Sequence, residues 1–414
     1  MFNQGESTSI LSINAGSSSL KLKLFSIVQG DNGLVPKLIL ESAISGITSM
    51  PAKFTFKNIE NKEHNIESQD LQDIQSATDA FEFFLEHLKG DDSGFGFERT
   101  NHITHICHRL VHGGEIGERG PLVVNDRVVK ELEELVTLAP LHNGPASSIL
   151  KAVSKSLPNA KNVVFFDSSF HSTMPDFVKA YAIDQKVAKE RRLRKYGFHG
   201  LSYEFIVKSV ADYLGKDRRE TSIIALHLGS GASMCAIKNG ESYDTTLIFH
   251  YTSKPADKDK ILSSVELSHA ENILNSSSGF KALAGTSNFS EILATNPPTP
   301  ESKLAVNLFL DRILGFFGSY WLKLNGGQGA IDAIVFAGGI GEGSPEFRRM
   351  IVEGFSGLSN DFGGLEDDRN KNCGGETEAV YSIGDGNGKV KLLVCKTNEE
   401  LQMVDQCLSI KALW

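Results

Sequence analysis

Residues 9–25 read SILSINAGSSSLKLKLF. An apolar run rich in β-branched residues meets Gly16 and a serine cluster, and alternation resumes at Leu20, Leu22 and Leu24. This pattern predicts strand, tight loop, strand. Residues 222–237, SIIALHLGSGASMCAI, repeat the plan. At an offset of 213, Ser9, Ile10, Gly16 and Ser17 fall on Ser222, Ile223, Gly229 and Ser230. Four identities in so short a window are compatible with chance. The shared strand–Gly/Ser–strand grammar is the better evidence, and it implies two similar lobes facing each other.

A third glycine loop lies at 334–344, IVFAGGIGEGS, followed by PEFRRMIVEGF. A buried strand ends in glycines, and Pro345 stands where a helix begins, a position proline favours. Such loops present backbone N–H groups to an anion. Each alone reads more readily as a plain turn; three of them, two paired, point to a nucleotide held between lobes. Neither GxxxxGK[ST] nor GxGxxG occurs. That excludes a P-loop and disfavours a dinucleotide site.

The composition agrees with a lobed soluble protein. A length of 414 residues predicts two or three domains with ample core. The 40% hydrophobic and 22% charged residues are the balance of an ordinary globular chain. A net charge of −9 argues against nucleic-acid binding, though not against one small anion in a local basic pocket. The N-terminal MFNQGESTSI resembles neither a signal nor a transit peptide. No apolar run is long enough to span a membrane. Five scattered cysteines without a CxxC argue for a reducing, cytoplasmic setting.

Helices are expected at 76–88, at 303–324 and at 398–411, where Asn398 caps and Glu399 and Glu400 fill the first turn. Residues 251–301 and 360–390 read as loop-like. His102, His105, His108 and His112 crowd around Cys107. In a strand, however, His105, Cys107, Arg109 and Val111 share one face, and His108 and His112 the other. The segment therefore reads as a strand delivering Arg109 or a histidine to a pocket, in preference to zinc. Asp167 ends the buried run NVVFFD, where α/β enzymes place catalytic groups; it could equally cap the next turn. His199 in KYGFHGLS and His142 in APLHNGP read either as site residues or as core and capping histidines. Lys21 reads as a phosphate contact or as a solvated strand lysine.

Taken together, INAGSSSLK, HRLVHGG, LAPLHN, FFDSSFHSTMP, YGFHGLS, HLGSGAS, FAGGIGEGSPEFR and KTNEEL occur in one order over residues 9 to 405. In this the chain resembles the acetate kinase family of the acetate and sugar kinase/Hsc70/actin superfamily, its fungal members above all. The resemblance implies a duplicated α/β fold of two lobes with an interlobe cleft, and a homodimer. The first lobe would span 1–168, completed by helix 398–414, and the second 169–397. It implies magnesium-dependent phosphoryl transfer from ATP to acetate, giving ADP and acetyl phosphate. Acetate is already ionised, so the work is positioning and charge neutralisation.

By the same resemblance, Asn14 and Glu399 match the magnesium positions, Arg109 and His142 the acetate-binding ones, and Asp167 and His199 the catalytic pair. Lys21, Ser17, Ser19 and the loop His227, Leu228, Gly229, Ser230 and Gly231 match phosphate contacts. Gly338, Gly339, Ile340, Gly341 and Glu342 match the loop bordering adenosine.

The pattern breaks at one place. Past YDTT the family continues with a segment ending in a TRSG-like turn that carries a second transition-state arginine. Here Thr246 runs straight into LIFHY, and no arginine occurs between Arg219 and Arg312. Lys254, Lys258 and Lys260 are cationic but lack the planar fork. Asn288 and Ser290 stand where many relatives have Asp and Arg near the nucleotide. A catalytically impaired relative, a kinase for another short carboxylate, and a pyrophosphate-using enzyme are therefore alternatives to an ordinary acetate kinase.

Overall fold

The computed structural model describes residues 8–16, 18–31, 33–47, 51–136, 140–229, 231–250, 278–325, 330–358, 360–374 and 378–413. For 97, 136, 140–142 and 247–250 it describes the backbone alone. The chain divides into two compact units. The first comprises the described residues within Met1–Ser169 and Glu399–Trp414, the second those within Phe170–Thr252 and Ser268–Asn398.

The first unit is built on an eight-stranded sheet. Its strands are β1 (Thr8–Ala15), β2 (Ser19–Gly30), β3 (Gly33–Ser45), β4 (Ala52–Asn58), β5 (Ile66–Leu71), β6 (Ile103–Leu110), β7 (Leu122–Val123) and β8 (Lys161–Phe166). They lie in the order β5-β4-β3-β2-β1-β6-β8-β7. All eight residues of β1 are buried, because it pairs antiparallel with β2 and parallel with β6 and is covered on both faces. Period-2 alternation sorts the faces. Leu11, Ile13 and Ala15 join the main core with Phe81, Phe84 and Leu88 of helix Ala77–Lys89 and Ile149 and Val153 of helix Pro140–Ser156. On the opposite face Asn14, His105 and Cys107 meet the segment beginning at helix Glu399–Ser409. The Ala77 helix starts where Ser76 Oγ accepts the Asp79 N–H at 3.1 Å and stops at Gly90.

The second unit carries β9 (Ile223–Leu228), β10 (Gly231–Lys238), β11 (Glu241–His250), β12 (Ala333–Ala337), β13 (Val380–Ser382) and β14 (Lys391–Cys395). Their order is β11-β10-β9-β12-β14-β13. This is the first sheet again. The series β3-β2-β1-β6-β8-β7 and β11-β10-β9-β12-β14-β13 agree strand for strand in orientation: two antiparallel pairings, two parallel ones, then a short antiparallel edge strand. The half-chain echo in the sequence is thus a repeat of topology, to which the first unit adds β4 and β5.

Helix Pro300–Lys323 supplies the second core. Thr299 Oγ1 accepts the Ser302 N–H and Pro300 opens the first turn. Phe309 is fully buried against the rings of Phe280, Phe289 and Phe347, with centroids 5.2 to 5.6 Å apart. Among the described residues no helix is long and apolar enough to cross a membrane.

Two expectations need correction. Within 251–301, the part 251–277 lies outside the described residues, but Gly279–Ala284 and Phe289–Ala294 are helical. Phe280 and Phe289 explain this, since each anchors its short helix in the core. Residues 360–390 likewise hold helix Asp367–Asn372, capped by Glu366, and strand β13.

Phe309→Ala removes a fully buried ring and is expected to cost about 3–5 kcal/mol, read as a large drop in thermal midpoint. His108 gives a pH test. It is buried, its Nε2 lies 2.8 Å from Asn162 Oδ1, and burial pushes its pKa down to about 4. The unfolded chain takes up this proton near pH 6.5 and the folded chain only near 4. Stability therefore rises with pH across that window and is lost as pH falls through it, by about 3 kcal/mol for the full shift. His108→Gln should flatten that dependence in urea melts between pH 7 and 5; an unchanged slope would contradict it.

Candidate active site

In the first unit the C-terminal ends of β1, β6 and β8 lie side by side. Asn14 is the penultimate residue of β1, Arg109 of β6, and Asp167 follows β8, its N–H donating to Leu110 O at 2.9 Å. Strand β8 is second from the edge of the sheet, with only the two-residue β7 beyond.

These three side chains converge. Arg109 Nε and Nη2 donate to Asp167 Oδ1 and Oδ2 at 3.2 and 2.7 Å, a two-point fork. Arg109 Nη1 donates to Asn14 Oδ1 at 2.9 Å and lies 3.2 Å from Glu399 Oε2. Asn14 Nδ2 donates to Glu399 Oε2 and Glu400 Oε1, both at 2.8 Å. Lys23 Nζ stands 3.4 Å from Glu400 Oε2. Asp167 is fully buried and the Arg109 side chain 14% exposed. Burial alone would lower the Arg109 pKa, but Asp167, Glu399 and Glu400 outweigh it and hold the guanidinium above its ordinary value. The two glutamates sit in the first turn of helix Glu399–Ser409, where the helix dipole favours carboxylates.

The neighbouring loop is held by groups that sequence reasoning missed. Asn143, buried, clasps the backbone of His112: Oδ1 accepts its N–H at 3.2 Å and Nδ2 donates to its O at 2.8 Å. His112 Nδ1 accepts from Gly114 N at 3.0 Å. The four histidines do not converge: His105 Nε2 faces Leu413 O at 3.1 Å and His108 faces Asn162. Lys21 is exposed and pairs across the ladder with Asn14. The Gly16 N–H donates to Ser19 O at 2.8 Å, closing the turn. Ser17 and the His142 side chain lie outside the described residues.

The second unit places His199 at the N-terminus of helix Gly200–Leu214 with φ +57°. That left-handed backbone is uncommon for a residue with a Cβ and needs outside support. His171 provides it. This buried ring lies with Nε2 3.0 Å from Phe198 O and Nδ1 2.8 Å from Ser242 Oγ. Burial pushes its pKa down to about 4, so it is neutral, donating at Nε2 and accepting at Nδ1. Gly197 is required here, because a Cβ would lie 2.3 Å from the His171 ring. The His199 ring stacks on His227 at 4.3 Å, and its Nδ1 is 2.8 Å from Ser233 Oγ. Ser202 Oγ is 3.3 Å from His227 Nε2.

The two glycine loops of this unit touch. Gly338 has φ +75°, and a Cβ there would lie 2.7 Å from Leu228 O; the Cβ position of Gly229 is 3.6 Å from Gly339 N. Gly231 opens β10, and Ser230 lies outside the described residues. Gly338–Gly343 forms a helical turn in which Glu342 Oε1 accepts the Gly338 N–H at 2.9 Å. Arg348, 1% exposed, locks that turn from behind through Gly341 O and Glu342 O, both at 2.7 Å, and Asn370 Oδ1 at 2.8 Å. The arginine in SPEFR was the only sequence signal for it. Ile340 is the half-buried apolar member of the turn. Asp244, buried near the Thr246–Leu247 junction, is held by Lys195 at 2.8 Å and by Lys323. Strand β11 runs across that junction to His250, with a shift in its register against β10 between Leu247 and Phe249.

The model of the acetokinase family matches residues 9–251 and 260–405. A probable acetate kinase of Emericella nidulans is 40% identical over 435 residues, covering 98% of each chain. Since 0.98 × 414 is about 406, that relative carries stretches this chain lacks. Acetate kinase of Streptococcus equi subsp. equi is 36% identical over 94% of this chain and 96% of its own. Among solved structures, Porphyromonas gingivalis acetate kinase superposes with TM-score 0.77 at 27% identity, covering 97% of this chain and 99% of its own. A propionate kinase of Francisella tularensis gives 0.77 at 28%, covering 96% and 98%. With its duplicated sheets and its strand-end constellation, this chain belongs to the acetokinase family.

Proposed function

We propose that this chain catalyses reversible phosphoryl transfer between ATP and acetate, with magnesium. The observation that carries the reading is the meeting of Asn14, Arg109, Asp167 and Glu399 at three adjacent strand ends. One guanidinium, two carboxylates and an amide suit handling of a carboxylate and a phosphoryl group, and no side chain placed as a general base is needed.

Asn14 Oδ1, Asp167 and Glu399 offer hard oxygen donors, which fit magnesium. Held there, the ion would supply neutralisation of phosphate charge. The chain's own residues do the positioning. Asp167 and Asn14 take up three of the five N–H groups of Arg109, and Glu399 sits 3.2 Å from Nη1 as an ion pair. One N–H on each of Nη1 and Nη2 stays outside these hydrogen bonds, and a two-point grip on acetate would use that pair. His199, braced by His171 and Ser233, would stabilise the equatorial oxygens of the transferring group. The 228–231 and 338–342 loops would receive the nucleotide, with Lys21, Ser19 and Ser17 on the first unit assisting at the phosphates and His142 at acetate. The reading includes a reducing, cytoplasmic setting, supported by the free thiols of all five cysteines, and, from the family, a homodimer.

Acetate is favoured over propionate or butyrate by the names of the fungal and streptococcal relatives, and ATP over pyrophosphate by the paired glycine loops. Two outcomes test the reading. Arg109→Ala should raise the acetate KM about 10- to 100-fold, from ~1.5–3 kcal/mol for a charged hydrogen bond, and the ATP KM far less. Equal losses for both ligands would contradict its role. Inserting a TRSG-containing segment between Thr246 and Leu247 should raise turnover by about 10³–10⁵, the worth of an arginine in phosphoryl transfer. This is read as ADP formation with acetate, ATP and magnesium, and equal rates would show that the short chain needs no such residue.

A further inference from the structure

We infer that Tyr203 and Ser233 form a proton relay that fixes the neutral His199 ring with its proton on Nε2, making it a hydrogen-bond donor toward the transferring phosphoryl group. The inference rests on the role proposed above for His199 and adds its protonation state and two positioning residues.

The argument is a count of protons in a closed space. Ser233 Oγ lies 2.8 Å from His199 Nδ1 and 2.5 Å from Tyr203 Oη. Tyr203 is fully buried and Ser233 1% exposed, so water does not balance the account. The His227 backbone N–H donates to Tyr203 Oη, and burial keeps the phenol protonated. Tyr203 thus has one proton to give, and Ser233 Oγ is the acceptor in reach. Of three arrangements, the one in which Tyr203 O–H and His199 Nδ1–H both donate to Ser233 Oγ leaves the buried serine proton without an acceptor and is set aside; two remain. In the first, Tyr203 O–H donates to Ser233 Oγ, Ser233 O–H donates to His199 Nδ1, and the imidazole proton sits on Nε2. In the second, His199 Nδ1–H donates to Ser233 Oγ, Ser233 O–H turns to Tyr203 Oη, and the phenolic proton is buried without an acceptor. Buried donors are rarely left so. The first arrangement satisfies every proton.

The surroundings keep the ring in that pose. His227 stacks on one face, the backbone at His199 is set in the left-handed region, and His171 holds the preceding carbonyl. A ring that accepts at Nδ1 and donates at Nε2 suits charge building on a phosphoryl oxygen and takes no proton from acetate.

The test is ¹⁵N NMR of the full chain labelled at imidazole nitrogens, at pH 8, with His199→Gln identifying the signal by its loss. Pyrrole-type nitrogen at Nε2 and pyridine-type at Nδ1 is the expected result. A proton on Nδ1, or on both nitrogens, would overturn the relay. Ser233→Ala and Tyr203→Phe should each convert the single tautomer into a mixture; a tautomer unchanged in both variants also overturns it. Ser233→Ala should lower kcat roughly tenfold or more with a smaller change in the ATP KM. If the tautomer responds as stated while turnover stays at the parent's level, the relay stands and the role assigned to His199 falls.

Discussion

The contact on which the first unit depends is the one around Arg109. A buried guanidinium is tolerated only if its charge and hydrogen bonds are met, and this one is met from three separate parts of the chain. Asn14 comes from the first strand, Asp167 from the end of β8, and Glu399 from a helix 385 residues beyond Asn14. Removing Asp167 or Glu399 upsets the charge balance of a largely buried cluster, and removing Asn14 leaves its hydrogen bonds unmet. The same cluster holds the sheet to its terminal helix and presents the groups that chemistry would use. Packing and reactivity are thus one arrangement, with the acidic first turn of Glu399–Ser409 stabilised by its own helix dipole.

The second unit solves a different problem with the same sheet. Its strand ends carry backbone loops where the first unit's carry charged side chains. Gly338 must pass close to Leu228 O, which only a residue without a side chain permits. Arg348 then fixes the turn through the carbonyl oxygens of Gly341 and Glu342, and its other hydrogen bonds go to Asn370 and to Cys373 Sγ at 3.1 Å, none of them to a carboxylate. His199 of this unit is a left-handed residue whose preceding carbonyl is held by a neutral, buried His171.

Much of this was legible in the sequence, for reasons that can be named. The strand–glycine–strand segments declare themselves by alternation, and Asn14, Arg109, Asp167 and Glu399 each sit at an element boundary that local pattern marks. What local pattern does not mark is a partner distant in the chain. Glu400 reads as one more acid in a first turn until Asn14 and Lys23 are seen beside it. Ser233 reads as a strand residue until Tyr203 and His199 meet it. Asn143 was passed over for its neighbour His142, although it is Asn143 that clasps the His112 backbone. The helices at 279–284 and 289–294 were missed because their short spans carry little periodicity; single phenylalanines anchored in a tertiary core decide them.

The 385-residue separation between Asn14 and Glu399 also bears on the order of assembly. Synthesis delivers the first sheet early, then the whole second unit, and only afterwards the helix that neutralises Arg109. Closing so long a loop is entropically modest once an intervening domain is compact, since the cost grows only with the logarithm of length. Until it closes, the first unit exposes the face that its last helix will cover. An early-folding second unit would shorten the effective tether between the first sheet and its last helix.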